Sequence, residues 1–172
     1  HAAQPYFSRP MTLVLAERVN LQDLGLMGYL ASTSLDLQQA LQLLQRYYSL
    51  IFKQTNLEKL SVREFAEHIQ IEWTAAHSDY REMYELNLAI MFKIGQSIAQ
   101  DTLVPPQFIQ FGYVPHTALY HFERFFGCPI HVQQGQYAIR FSNQILYAKS
   151  IASDQQLNQV LSRQAKQSLD SL

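Results

Sequence analysis

Residues 117–141, TALYHFERFFGCPIHVQQGQYAIRF, change periodicity partway along. From Thr117 to Phe126 the apolar residues Leu119, Phe122, Phe125 and Phe126 return at helical spacing. Gly127, Cys128 and Pro129 then supply a stop, because glycine accepts the left-handed turn that ends a helix and proline cannot continue one. From Ile130 the pattern becomes period two. Ile130 to Val132 and Tyr137 to Phe141 flank the polar tetrad Gln133-Gln134-Gly135-Gln136, with Ile139 and Phe141 on one face and Arg140 on the other. That is the pattern of a β-hairpin. Helix and strand pair side by side, without regular strand-helix alternation along the chain, predict an α+β fold: a single domain with an antiparallel sheet packed against several amphipathic helices.

Upstream, Asp36 and Gln39 form a capping pair, Leu35 can staple onto Ala40, and Leu37, Ala40, Leu41, Leu44, Tyr47, Tyr48 and Ile51 recur at helical spacing. This reads as a packing helix with one stripe toward the core. Between Leu57 and Trp73, Ile69, Ile71 and Trp73 alternate with Gln70 and Glu72, which favours a second hairpin over a short helix begun by Ser61 and Glu64. A long helix is expected from Asp79, with Glu82 as its acidic partner and Tyr80, Tyr84, Leu88, Met91, Phe92, Gly95 and Ile98 down one side, ending before Pro105. Phe108 to Phe111 reads as a strand. A last helix starts near Asp154 with the stripe Leu157, Val160 and Leu161. Gly25 and Gly28 either let two backbones approach closely or mark a helix end and turn. The lead-in from His1 to Pro10 is expected to be extended.

In a chain of 172 residues, 48% are hydrophobic and 16% charged, and no apolar run is long enough to span a membrane. Thirteen Lys and Arg against fourteen Asp and Glu give a formal charge of -1, so the basic excess of a DNA-binding surface is missing. One cysteine excludes an intramolecular disulfide and a cysteine-rich zinc module and suits the cytoplasm. With His1 as its first residue and no charged, apolar, small-residue leader before Pro5, the chain is expected to be a piece of a longer protein.

Phosphate-cradling loops and the serine nucleophile elbow are missing, so no catalytic residue and no cofactor are expected. Among the six histidines, His116 and His121 fall about 140° apart on a helix. Cys128 and His131 make only half a zinc site, so no metal is expected, and Cys128 reads as a small buried hydrophobe. Ten Phe, ten Tyr and one Trp are the outstanding resource. Such rings build cores, and they also line pockets in which a few polar tips orient a ligand.

The run Leu24-Gly25-Leu26-Met27-Gly28-Tyr29-Leu30, the helix from Leu37 to Arg46-Tyr47, and the segment Tyr120 to Ile130 with Phe126-Gly127-Cys128-Pro129 occur together in one family. The chain resembles the N-terminal effector-sensing, arabinose-binding-like domain of AraC-type bacterial transcription regulators. The resemblance implies a lead-in at 1–20, a sensing domain at 21–161, and a helical tail or linker at 162–172. That linker would run toward a DNA-binding domain with two helix-turn-helix motifs. It implies a small-molecule effector of unspecified identity, DNA contact only through the second domain, no membrane, and a homodimer. Trp73, Tyr113, His116, Tyr120 and Arg140 are the candidate ligand contacts, because they combine ring surface or hydrogen-bonding capacity with positions on or beside the expected sheet. The alternative is a dimerisation module of such a regulator that has no physiological effector.

Overall fold

The structure, a computed structural model, describes residues 9–51, 60–99 and 104–171. Most of the expected extended lead-in, the start of the hairpin expected from Leu57 to Trp73 and the end of the long helix before Pro105 lie outside the described residues.

Five strands make one sheet: β1 (Ser61–Glu64), β2 (His68–Thr74), β3 (Phe108–Phe111), β4 (Ile130–Val132) and β5 (Gln136–Ser142), in the order β1-β2-β5-β3-β4. The hairpin reading upstream holds, with β1 and β2 antiparallel from Ser61 opposite Glu72 to Glu64 opposite Ile69. The hairpin expected from Ile130 to Phe141 does not form. β4 lies parallel to β3 and β5 antiparallel to β3, on its other side. The helix α5 (Leu119–Phe126) joins β3 to β4, and such a crossover returns the chain in the same direction. The polar tetrad then steps over the end of β3. Gln133 donates its N–H to Phe111 O at 2.9 Å, and Gly135, at φ 84°, donates to Gly112 O at 2.9 Å. Strands flanking a third are about 9.5 Å apart, within reach of a few extended residues. Period-two patterning is the same whether two strands pair or straddle a third, so the sequence could not separate the two arrangements.

Alternation divides the sheet. Ile69, Ile71, Trp73, Ile109, Phe111, Tyr137, Ile139 and Phe141 are buried on the helix-covered face. The other face carries a polar ladder. Arg140 donates to Gln70 Oε1 from Nε (3.0 Å) and from a terminal guanidinium nitrogen (2.7 Å), Arg63 pairs with Glu72 at 2.7 Å, and Gln70 donates to Glu72.

The main helices are α1 (Met11–Arg18), α2 (Gly25–Thr33), α3 (Leu37–Ile51), α4 (Arg81–Ala99) and α6 (Gln155–Asp170). Part of the segment expected as a lead-in is α1, whose Leu13 and Ala16 are fully buried in the main core. Asp36 caps α3 by accepting from Gln39 N at 3.0 Å, and the Gln39 side chain accepts from Leu35 N at 2.6 Å. Leu35, the expected staple, stands 45% exposed. A 3-10 turn, Ser78–Tyr80, precedes α4 and leaves Tyr80 exposed. Asp154 caps α6 by accepting from Leu157 N at 2.9 Å. The buried stripe of α6 differs from the expected one. Leu157 and Val160 are exposed, while Asn158 and Ala165 are buried and Leu161 and Leu169 pack beside them. Asn158 fixes this rotation by donating to Leu30 O and Thr33 Oγ1, both at 2.9 Å, and so answers the end of α2. Residues 162–170, expected as tail, continue α6, with Ala165 packed among Met27, Leu30 and Tyr47. No helix among the described residues is long and apolar enough to cross a membrane.

Both readings of the glycine pair hold: Gly25, at φ 55°, ends a 3-10 turn, and Gly28 is the site of close approach. A Cβ there would sit 1.5 Å from Leu21 O, in the 3-10 turn (Leu21–Leu24) that precedes α2. Gly28→Ala should therefore lower stability by about 1–3 kcal/mol, the usual range for overpacking, read as a reduced urea midpoint.

One carboxyl enters the core. Glu85 on α4 is 3% exposed, with Oε1 lacking a partner. Burial, then Glu82, raise its pKa from 4.5 to about 8, against an opposing pull from Arg81. The Tyr137 hydroxyl, also buried without a partner, is pushed well above its ordinary value, by burial first and by the Glu85 charge second. The folded chain thus holds Glu85 protonated where the unfolded chain ionises it. Its contribution is complete below pH 4.5 and is lost as pH rises to about 8. Stability relative to Glu85→Gln should fall across that window, and urea unfolding of both proteins at several pH values measures the difference.

Candidate functional site

Between the sheet and the helices lies a cavity of about 230 Å³. Ile69, Ile71 and Trp73 of β2 and Phe141 of β5 form its floor. Leu37, Ala40, Leu41, Leu44 and Tyr48 of α3 form one wall, and Asn87, Ile90, Met91, Ile94 and Ile98 of α4 the other, with Leu24, Met27 and Ala31 closing one end. The space exists partly because Ala31, Ala40 and Gly95 stand where larger side chains would fill it. Almost the whole described wall is apolar, and none of the described residues lining it carries a charge.

Three of the described lining residues, Trp73, Asn87 and Tyr48, carry polar side-chain groups. Trp73 is 2% exposed, and its Nε1–H is buried without a partner. The Nδ2 amide of Asn87 is likewise buried without a partner. The Tyr48 hydroxyl is pushed up to about 12, by burial first and by Tyr84 second, so it remains a neutral phenol. A buried donor without an acceptor costs about 1–3 kcal/mol. Two such donors belong to residues of one cavity.

Of the five residues chosen from the sequence, Trp73 alone lines the cavity. Tyr113 donates its hydroxyl to Ala75 O at 2.9 Å and packs against the core. His116 is exposed and meets Glu82 through Nδ1 at 2.6 Å. Tyr120 is 59% exposed, with its ring against His121 at 3.9 Å between centroids. Arg140 is on the opposite face of the sheet, its guanidinium held by Gln70 and lying 4.2 Å from the Phe108 ring centroid. Strand parity explains that position, since Arg140 alternates with Ile139 and Phe141, which face the helices.

Sequence reasoning missed Asn87 and the α3 residues Leu41, Leu44 and Tyr48 as cavity residues. An apolar stripe bordering a cavity has the same spacing as one in a packed core, so the only signal was a polar Asn87 within an otherwise apolar stretch of α4. Cys128 is buried, and burial pushes its thiol up to about 11, which keeps it protonated and poorly nucleophilic. Its sequence neighbour His131 meets the Phe108 ring edge-on.

No curated protein sequence matches the chain. The fold is similar to that of the transcriptional regulator CdpR from Pseudomonas aeruginosa, with a TM-score of 0.73 at 15% identity. That similarity covers 91% of this chain and 51% of the other, so the chain spans about half the length of that regulator. Residues 8–149 match the family model of the arabinose-binding domain of AraC transcription regulators, N-terminal. With most of its length inside that match, the chain belongs to the family of N-terminal arabinose-binding domains of AraC-type transcription regulators.

Proposed function

We propose that this domain is the sensing half of a transcription regulator. A small effector occupies the cavity, and its preference for one packing arrangement biases an attached helix-turn-helix DNA-binding half. The observation that carries this reading is the double use of Met27, Leu43 and Leu44. These residues line the cavity and also belong to the cluster in which Leu161, Ala165 and Leu169 of α6 are docked. A ligand that shifts their packing therefore bears directly on α6. An effector can move the equilibrium only by as much as its affinity differs between the two arrangements. The formal charge of -1 fits a division of labour in which a neighbouring module grips the phosphates. Among the residues chosen from the sequence, Trp73 remains the proposed contact.

The test is thermal unfolding against a panel of small metabolites, repeated with Ala40→Leu and Ala31→Leu, two independent ways of filling the space. A true effector at about 100 times its Kd should stabilise the unaltered chain by about 2.7 kcal/mol. It should do little for either filled variant, and it should slow amide exchange in α6. Equal stabilisation of all three proteins would remove the cavity from the mechanism.

A further inference from the structure

We infer that residues 148–158 act as a strap that carries the state of the cavity to α6, with Thr33, Ser150 and Asn158 as the side chains that position it. This inference rests on the reading of the cavity as the effector site and adds the route by which occupancy reaches α6.

The strap begins at the cavity. Ile145 is a lining residue and belongs to the 3-10 turn Asn143–Tyr147 that follows β5. Three residues later the chain runs against the joint between α2 and α3, where Asp36 and Lys149 form an antiparallel bridge. Leu37 donates its N–H to Ala148 O at 3.2 Å, and Ser150 donates its N–H to Leu35 O at 3.1 Å. That joint interrupts the cavity wall, since Ala31 lines the space on one side of it and Leu37 on the other.

A helix leaves its last four carbonyls without partners inside it. For α2 these belong to Leu30, Ala31, Ser32 and Thr33. The strap answers three of them. Ser32 O accepts from Ser150 Oγ at 2.9 Å, Thr33 O from Asp154 N at 3.0 Å, and Leu30 O from Asn158 Nδ2 at 2.9 Å. The same Nδ2 donates to Thr33 Oγ1 at 2.9 Å, and that hydroxyl donates to Tyr29 O at 2.8 Å. The end of α2 is thus capped by the residues that lead into α6 and form its first turn.

Burial makes the contact discrete. Of the ten buried polar or charged residues among those described, five are here: Thr33, Ser34, Asp36, Ser150 and Asn158. Partial opening strands a dry donor or acceptor, which is less favourable than either the full set of bonds or complete opening to water. The joint therefore has two favoured arrangements, engaged and released. An occupant that holds Ala31, Leu37 and Ile145 where the strap fits them favours the engaged one, and α6 follows.

Cyclohexane is the probe, an apolar molecule small enough for the cavity and without a ring current that would shift distant signals. In the unaltered chain the methyl resonances of Ile71, on the cavity floor, and the backbone amide resonances of α6 are expected to shift with one common Kd. In Thr33→Val and in Ser150→Ala the α6 shifts should fall to about half or less, while the Ile71 shifts and the Kd persist. Thr33→Ser, which keeps the hydroxyl, should restore the α6 response. A residue that merely stabilised the fold would alter the spectrum without cyclohexane and leave the increment caused by cyclohexane intact. Ser150→Ala removes one bond and almost no bulk, so it decides the matter alone if Thr33→Val does not fold.

A folded variant, Thr33→Val or Ser150→Ala, with an undiminished α6 response overturns the inference. So does an unaltered chain in which Ile71 shifts and α6 does not. Those results leave the cavity as the binding site. If cyclohexane does not bind the unaltered chain, or binds Ala40→Leu undiminished, both the inference and the reading beneath it fall.

Discussion

The register between β2 and β5 decides which chemistry reaches the interior. Seven residue pairs, from His68 opposite Ser142 to Thr74 opposite Gln136, place Ile69, Ile71 and Trp73 on the helix-covered face together with Tyr137, Ile139 and Phe141. A slip of β2 by one residue would turn Gln70 and Glu72 inward, into a space lined by leucine and isoleucine, and send the tryptophan outward. The polar ladder on the far face guards against that slip, because Arg140, Gln70, Glu72 and Arg63 satisfy one another only in the observed alignment. One side of the sheet therefore fixes the pairing and the other presents the cavity floor. Arg140 works on the first side, where its planar guanidinium is also stacked on Phe108.

The helices line the cavity without filling it, and the reason is local. At Gly28 the 3-10 turn of Leu21–Leu24 comes so close that no side chain fits, so the end of the cavity near Leu24 and Met27 is set by backbone contact. Ala31 and Ala40 then keep the wall thin. On the outer side of the same helices, Asn158 grips the last turn of α2, and the Tyr47 hydroxyl donates to Ser162 O at 3.2 Å. Both bonds tie α6 to the helices that line the cavity. A displacement of α2 or α3 of even a fraction of an ångström must be absorbed in these contacts, since close-packed side chains have no slack.

Much of this was written in the local sequence. Asp36 with Gln39, Asp154 before its helix, and Gly127 at φ 72° act through bonds or backbone states that span only a few residues, and single residues can announce them. The β1–β2 hairpin was legible for the same reason. The straddled strand pair was not, because the partner that separates β4 from β5 is β3, which precedes α5 in the chain, and nothing in Gln133 to Gln136 encodes its presence. The burial of Leu13 and Ala16 was also hidden, since the pattern of Met11 to Val19 is too short to reveal a partner as distant as α4. The candidate site was the least legible part. A cavity is defined by what its lining fails to touch, whereas Leu41, Leu44 and Met91 have the chemistry of ordinary core residues. Tyr120 and His116 attracted attention by residue type, but type alone does not say which face of an element turns inward.

The cavity is a departure from good packing. Unfilled apolar volume forfeits dispersion contacts, at about 24 cal/mol per Å³ in core truncations. The defect has an easy local remedy, since a leucine at position 31 or 40 would occupy the space. Retaining that cost in a domain whose net stability is of the usual order, about 5–15 kcal/mol, makes sense where a ligand relieves it. The side chains that would tighten around such a ligand include Leu44 and Met27, which belong to the same cluster as Leu161 and Ala165, so binding should be felt in α6.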